Sequence, residues 1–288
     1  MNAPVVHPFH HAGTGTWSYV VADPVIGVAA IIDPVLDFDA ASGRRSTASA
    51  QKLLDCVQAR GYYGVQWLLE THAHADHVSA APWLQQRTGA PIAIGAGIRE
   101  VQAHFTRVYG FGADYVADDA SFDRLFADGE RFTVGSIPAE VIPVPGHTPD
   151  SVAYLIGDAL FVGDSLFMPD GGTARCDFPG GDAATLYRSI RRLFELPDAT
   201  RVFVCHDYGP GGREPRCETD IGTQRRENIH VRDGVDEAHF VAQRKARDAT
   251  LAVPALLLPA VQVNVHAGRF PPADADGRVL LALPVDRI

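Results

Sequence analysis

The stretch Thr71-His72-Ala73-His74-Ala75-Asp76-His77 decides the reading of this chain. It directly follows the apolar run Val65–Leu69, which has the length and composition of a buried strand. A strand ending there delivers its next residues into a loop at the carboxyl edge of a sheet, where α/β proteins place their chemistry. Imidazole and carboxylate are the common ligands of zinc and non-haem iron, and a tight turn can gather four of them. A single histidine would be read as a surface or core residue. The pattern H-x-H-x-D-H behind a strand predicts a metal site.

Three later segments repeat the arrangement. Pro145-Gly146-His147-Thr148 follows the apolar run Glu140–Val144, and Gly163-Asp164-Ser165 follows Ala159–Val162. His206-Asp207-Tyr208 follows Val202–Cys205. Each is weak alone, because G-H-T and G-D are common turn sequences. Together they put four polar clusters in fixed order, each just past a strand. Further strands are predicted at Trp17–Val21, Val28–Ile32, Pro91–Ile94, Arg131–Val134 and Val152–Ile156.

Helices are predicted at Ala48–Arg60, ending at Gly61, and at Ala183–Phe194, capped by Asp182. A third is predicted over Asp236–Leu251. Strands and helices alternate, so the class is α/β with a mixed sheet. Gly209–Pro215 reads as a loop, and the proline-rich chain beyond Val253 is expected to wrap the surface. We expect one domain over residues 1–288, with a core at about 10–210 and a C-terminal extension at about 211–288.

Composition narrows the function classes. The 288 residues carry 35 acidic against 25 basic side chains, a formal charge of -10, which opposes non-specific nucleic-acid binding. No apolar run reaches the roughly 18 residues of a membrane span. The longest candidate, Leu251–Val265, is interrupted by Pro254, Pro259, Gln262 and Asn264. Met1–Gly13 shows neither an export nor an import pattern, so a cytoplasmic location is expected. Cys56, Cys176, Cys205 and Cys217 are too scattered for a disulfide framework or zinc knuckle, and are read as reduced thiols.

The histidine and aspartate clusters resemble the metallo-β-lactamase superfamily, which implies an αββα sandwich with a metallo-β-lactamase-like core. On that pattern His72, His74 and His147 form one metal site, Asp76, His77 and His206 a second, and Asp164 bridges them. Within the superfamily the chain resembles the persulfide dioxygenases of the bacterial single-domain type. The likeness rests on Gly172-Thr-Ala-Arg175-Cys176-Asp177-Phe178, Thr185-Leu-Tyr-Arg-Ser-Ile190, His206-Asp207-Tyr208 and Pro259-Ala-Val-Gln-Val-Asn264. It implies one Fe(II) per chain, held by His72, His147 and Asp164, oxidising glutathione persulfide with O2 and water to sulfite and glutathione. His74, Asp76, His77 and His206 then orient the ligands through hydrogen bonds. A homodimer is expected, with no nucleic acid or membrane as partner.

Several residues keep two readings. Tyr208 either donates a hydrogen bond to bound oxygen or sulfur, or is a buried tyrosine with its hydroxyl satisfied. Arg175 and Asp177 are catalytic candidates, yet are favoured as a charge-paired brace of the metal loop. Cys176 is read as inert. Glutathione carries two carboxylates, so its pocket needs a cation; the candidates are Arg213, Arg216, Arg225, Arg226 and Arg247. Histidines 7, 10, 11, 104, 230, 239 and 266 are read as surface or core. The rival function is a glyoxalase II-like hydrolase of glutathione thioesters with two metals, where metal-bound hydroxide is the nucleophile. A lactonase or β-lactamase, and a catalytically silent protein of this fold, rank below it.

Overall fold

A computed structural model describes residues 3–111 and 121–286. The first part runs β1 (Val5–His11), β2 (Thr16–Asp23), β3 (Val28–Ile32), β4 (Val35–Asp39), β5 (Arg44–Ser46), α1 (Ala48–Ala59), β6 (Gly64–Leu69), β7 (Val78–Ser79), α2 (Ala81–Thr88), β8 (Ile92–Gly95) and α3 (Ile98–Tyr109). Beyond residue 120 come β9 (Arg124–Phe126), β10 (Arg131–Val134), β11 (Ile137–Pro143), β12 (Val152–Ile156), β13 (Ala159–Phe161), α4 (Ala183–Leu193) and β14 (Arg201–Phe203). The chain closes with β15 (Glu218–Asp220), α5 (Ile221–Glu227), α6 (Glu237–Asp248) and α7 (Leu257–Asn264).

Two mixed six-stranded sheets, ordered β1-β2-β3-β6-β8-β9 and β10-β11-β12-β13-β14-β15, face each other. Their inner faces share a core of Tyr19, Val21, Ile32, Leu69, Phe126, Val141, Tyr154, Phe161 and Phe203. Alternate residues of the same strands point outward: Val20, Ile31 and Leu68 pack under α1, α2, α3 and α7. On the other sheet, Leu160, Val162 and Val202 pack under α4 and α6. Period-2 alternation therefore feeds three apolar layers, and the result is the αββα sandwich. Helix α4 shows the local logic. Asp182 accepts the Thr185 amide at 2.8 Å, while Leu186, Ile190 and Leu193 bury fully, each contributing about 1.5–3 kcal/mol.

Strand directions put the chemistry at one edge. β11 and β13 both run antiparallel to β12, and β14 runs parallel to β13, so all three end on the same side. β6 ends facing them: the Val152 amide donates to Thr71 O at 2.9 Å. Gly163 makes this approach possible. It has φ +52, and a Cβ there would lie 2.8 Å from the Thr71 side chain. Trp17 N donates to Cys205 O at 2.7 Å, tying the second sheet's last loop to the first sheet.

Two expectations need correction. The chain beyond Val253 does not merely wrap the surface: α7 is a helix with Leu257 and Ala260–Asn264 buried against the first sheet's outer layer. Pro259 lies in its first turn, where the missing N–H costs nothing. The third expected helix is also shorter, Glu237–Asp248, because Asp236 is its cap, accepting the His239 amide at 2.8 Å. Among the described residues no helix is long and apolar enough to cross a membrane.

Candidate metal centre

The loop after β6 is built on a buried carboxylate. Asp33, at φ +48 just after β3, accepts the Thr71 amide at 2.7 Å, the Thr71 hydroxyl at 2.9 Å and His74 Nε2 at 3.0 Å. The Thr71 hydroxyl in turn accepts from His72 Nδ1 at 3.0 Å. That relay leaves the His72 Nε2 lone pair free. Asp150 accepts the Ala73 amide at 2.7 Å, so a second carboxylate holds the turn from the other sheet. From α7, Asn264 Nδ2 donates to the carbonyls of His74 and His77 at 2.8 and 2.7 Å.

The other clusters arrive with the same polarity. His147 Nδ1 donates to Arg175 O at 2.7 Å, so its Nε2 faces Asp164 Oδ2, 3.6 Å away. His206 Nδ1 donates to Gly15 O at 3.3 Å, and its Nε2 faces Asp76 Oδ2 at 3.1 Å and Asp164 Oδ1 at 3.4 Å. Neither contact is aligned as a hydrogen bond. Buried here without a hydrogen-bond partner are His72 Nε2, His74 Nδ1, Asp76 Oδ2, His77 Nε2, Asp164 Oδ1 and His206 Nε2. Each orphaned atom costs about 1–3 kcal/mol, which a bound cation removes. The donor set fits a metal.

Four groupings of ligand atoms occur here among the described residues, including Asp164 with Cys205 and His206, and Asp33 with Glu70 and His74. His72, His147 and Asp164 present ligand atoms all within 4.8 Å of one another, as do His74, Asp76 and His77 separately. Burial, reinforced by His74 and His147, holds His72 well below its ordinary imidazole value. Burial likewise lowers His77 to about 4. Both are therefore neutral and able to ligate. His74 behaves oppositely. Burial lowers it, but Asp33 and Glu70 at 3.0 and 3.4 Å outweigh that and raise it.

A cleft of about 760 Å³ opens over His147 and Asp164, lined by Phe167, Phe178, Tyr208, Leu256 and the face of α6. Arg175 holds its rim. Its fork donates to both Asp177 oxygens at 2.6 and 2.8 Å, and Nη1 donates to Ala252 O at 2.7 Å. Its guanidinium lies 5.2 Å over the Phe178 ring, which meets the His147 ring edge-on at 5.2 Å. The geometry gives Arg175 and Asp177 a bracing position. Cys176 is buried, and burial pushes its thiol up. Tyr208 is not a buried tyrosine: it is 67% exposed, stacks on His206 at 5.8 Å and lines the cleft.

Asp33, Glu70 and Asp150 carry none of the ligand spacing and were missed in the sequence. An aspartate immediately after a strand was the available signal for Asp33. His230, read as surface or core, instead lines the cleft.

The profile of the metallo-beta-lactamase superfamily matches residues 12–206. A probable metallo-hydrolase of Burkholderia pseudomallei is 48% identical over 98% of this chain and 99% of its own length. Glyoxylase B2 of Dictyostelium discoideum is 42% identical over 99% and 98%. The crystal structure of ETHE1 from Myxococcus xanthus superimposes with a TM-score of 0.73 at 29% identity, covering 92% of this chain and 100% of that one. Two more distant relatives bear on chemistry. Persulfide dioxygenase ETHE1 of Bos taurus is 29% identical over 67% of this chain and 64% of its own. Hydroxyacylglutathione hydrolase of Methylococcus capsulatus is 29% identical over 92% and 86%.

Proposed function

The chain belongs to the metallo-beta-lactamase superfamily, and from that premise we propose that it is an iron(II)-dependent persulfide dioxygenase acting on glutathione persulfide. The observation that carries this reading is the cluster of His72, His147 and Asp164, whose ligand atoms lie within 4.8 Å of one another. Two imidazoles and one carboxylate are the donor set of non-haem iron oxygenases. Asp33 and Glu70 hold His74 by Nε2 alone, so its Nδ1 belongs to the second reading below. The likeness to the Bos taurus persulfide dioxygenase supports the same choice.

Iron, when bound there, supplies the redox chemistry and open positions for O2 and a sulfur ligand together. The chain's own groups set the geometry. Thr71 Oγ1 and Arg175 O hold His72 and His147 in the tautomer that turns Nε2 inward. Phe167, Phe178 and Leu256 keep the cleft apolar, which limits loss of reactants to water. The Tyr208 hydroxyl offers one donor toward the reacting sulfur. In the reaction both oxygens of O2 pass to the outer sulfur, and water supplies the third oxygen of sulfite. The S–S bond breaks, glutathione leaves as thiol, and four electrons move from persulfide to O2.

A second reading has its own observation. His74 Nδ1, His77 Nε2, Asp76 Oδ2 and His206 Nε2 are orphaned beside the first cluster, a donor set able to hold a second metal. With the metallo-hydrolase name of the Burkholderia relative and the likeness to the Methylococcus hydroxyacylglutathione hydrolase, this favours a dinuclear hydrolase of glutathione thioesters. Metal analysis of protein purified without added metal, run beside oxygen uptake on glutathione persulfide and hydrolysis of a glutathione thioester, separates the two. About one iron per chain with oxygen uptake and sulfite release is expected. Two metals per chain with thioester turnover and no oxygen uptake replaces the dioxygenase with the hydrolase.

A further inference from the structure

A thiol carrier with two carboxylates needs a cation in the cleft, and three arginines line it. Arg175 is committed to Asp177 and Ala252 O. Arg244 is buried and committed to Asp248 at 2.7 Å and Thr173 O at 2.9 Å. Arg247, three residues further along α6, is exposed to the cleft and has no carboxylate partner among the described residues. The other arginines considered from sequence lie outside the cleft lining. Arg213 and Arg216 pair with Asp170, and Arg225 pairs with Asp198 and Asp233. Arg226 donates to Thr223 Oγ1.

His230 also lines the cleft, near enough for the charge of Arg247 to act on its ring. Its Nδ1 accepts the Thr173 amide at 3.0 Å, so a neutral ring carries its proton on Nε2. A Cβ on Gly172 would stand 2.2 Å from that Nδ1, so only glycine allows the ring to seat there. Burial lowers His230 to about 4, and the charges of Arg244 and Arg247 act in the same direction, which keeps the ring neutral near pH 7.

We propose that Arg247 and His230 Nε2–H form a carboxylate-recognising subsite of the cleft, which takes one carboxylate of a glutathione-type thiol. The substrate class rests on the reading above; the subsite itself rests on Arg247 being the arginine of the lining that has no carboxylate partner among the described residues. The guanidinium supplies a charge-assisted, forked pair of donors, and the imidazole supplies one neutral donor.

The test is calorimetric titration of the metal-loaded full chain with S-methylglutathione, which cannot be oxidised as a persulfide, and with its diethyl ester. Arg247→Gln should weaken binding of the acid about 10-fold or more, as loss of one charged hydrogen-bonded contact does. Arg247→Lys should weaken it less, and the ester should bind wild type and variant equally weakly. The proposal is overturned by unchanged affinity in Arg247→Gln, by equal losses for acid and ester, or by no binding to wild type. Arg247 has no ion-pair partner among the described residues, so thermal melts of the variants should match wild type, and the lysine variant covers any misfolding of the glutamine one. Arg247-dependent binding without oxygen uptake keeps the subsite and removes the dioxygenase reading. Oxygen uptake with a KM for glutathione persulfide indifferent to Arg247 does the reverse.

Discussion

The two walls of the cleft use their polar atoms in opposite ways. At the sheet edge, on and beneath the cleft wall, six buried nitrogens and oxygens of His72, His74, Asp76, His77, Asp164 and His206 lack hydrogen-bond partners. On the helical wall nearly every group is occupied. Arg175 grips Asp177, Arg244 grips Asp248, and Asp248 Oδ2 accepts the Cys176 amide at 2.9 Å. A buried polar atom left alone is costly, so a cluster of them marks where something else binds. A saturated network marks the frame that holds it. The lesson is to look for function in unmet hydrogen-bonding capacity, not in charge density.

The largest effects should come from breaking the unpartnered wall. His147→Ala or Asp164→Ala removes one of three proposed ligands and should abolish metal retention and activity, read by metal analysis and oxygen uptake. His206→Ala should leave most of the iron bound while activity falls about 10–100-fold, as changes beyond the ligands do. Equal loss of metal in all three variants would place His206 among the ligands and favour the dinuclear hydrolase.

Breaking the saturated wall should cost stability before it costs chemistry. Arg244 and Asp248 are 4% and 6% exposed, so Asp248→Ala strands a buried guanidinium and should destabilise the fold by about 3–5 kcal/mol. Denaturant melts read this directly; a loss below 1 kcal/mol would mean that water reaches the pair. Arg175→Lys keeps the charge and loses the fork. Because Asp177 is 38% exposed, the pair is partly screened, and a loss of about 1 kcal/mol is expected with KM for persulfide little changed. Arg175→Gln should be worse in stability. A large rise in KM with an unchanged melt would move Arg175 from brace to substrate contact.

The smallest effect sharpens the boundary between the walls. His230 has its folded value lowered from 6.5 to about 4. Between those values the unfolded chain binds a proton that the folded chain refuses. Its contribution to stability is therefore complete above pH 6.5 and is lost as pH falls toward 4. The difference in urea midpoint between wild type and His230→Gln should shrink over that window. A difference independent of pH would mean that His230 is open to solvent.

Much of the sandwich was legible because its signals are local. Strands β3, β10 and β12 match their expected bounds, and β6 and β13 match theirs within one residue, since short runs bounded by glycine or polar clusters have few alternatives. β1, β4, β5, β7, β9 and β15 were not seen, because proline or polar residues interrupt β1 and β4 and the others span only two or three residues. Helix α3 was overlooked although Ile98, Val101, Gln102 and Phe105 bury along one face. The glycines at 97 and 110 bracket it without a side-chain cap.

By itself the sequence determined that imidazoles and carboxylates would gather at strand ends, because motif order and strand length are properties of contiguous residues. Tertiary structure alone decided which atom of each ring faces inward. That choice rests on Thr71, Arg175 O and Gly15 O, which come from different places in the chain. It also decided which arginine is left uncommitted. A guanidinium's availability depends on whether a carboxylate lies within reach in space, and among the described residues Asp177 and Asp248 claim the other two arginines of the cleft lining, leaving Arg247. Pairing over long sequence separations is a property of the fold, and no spacing rule along the chain encodes it.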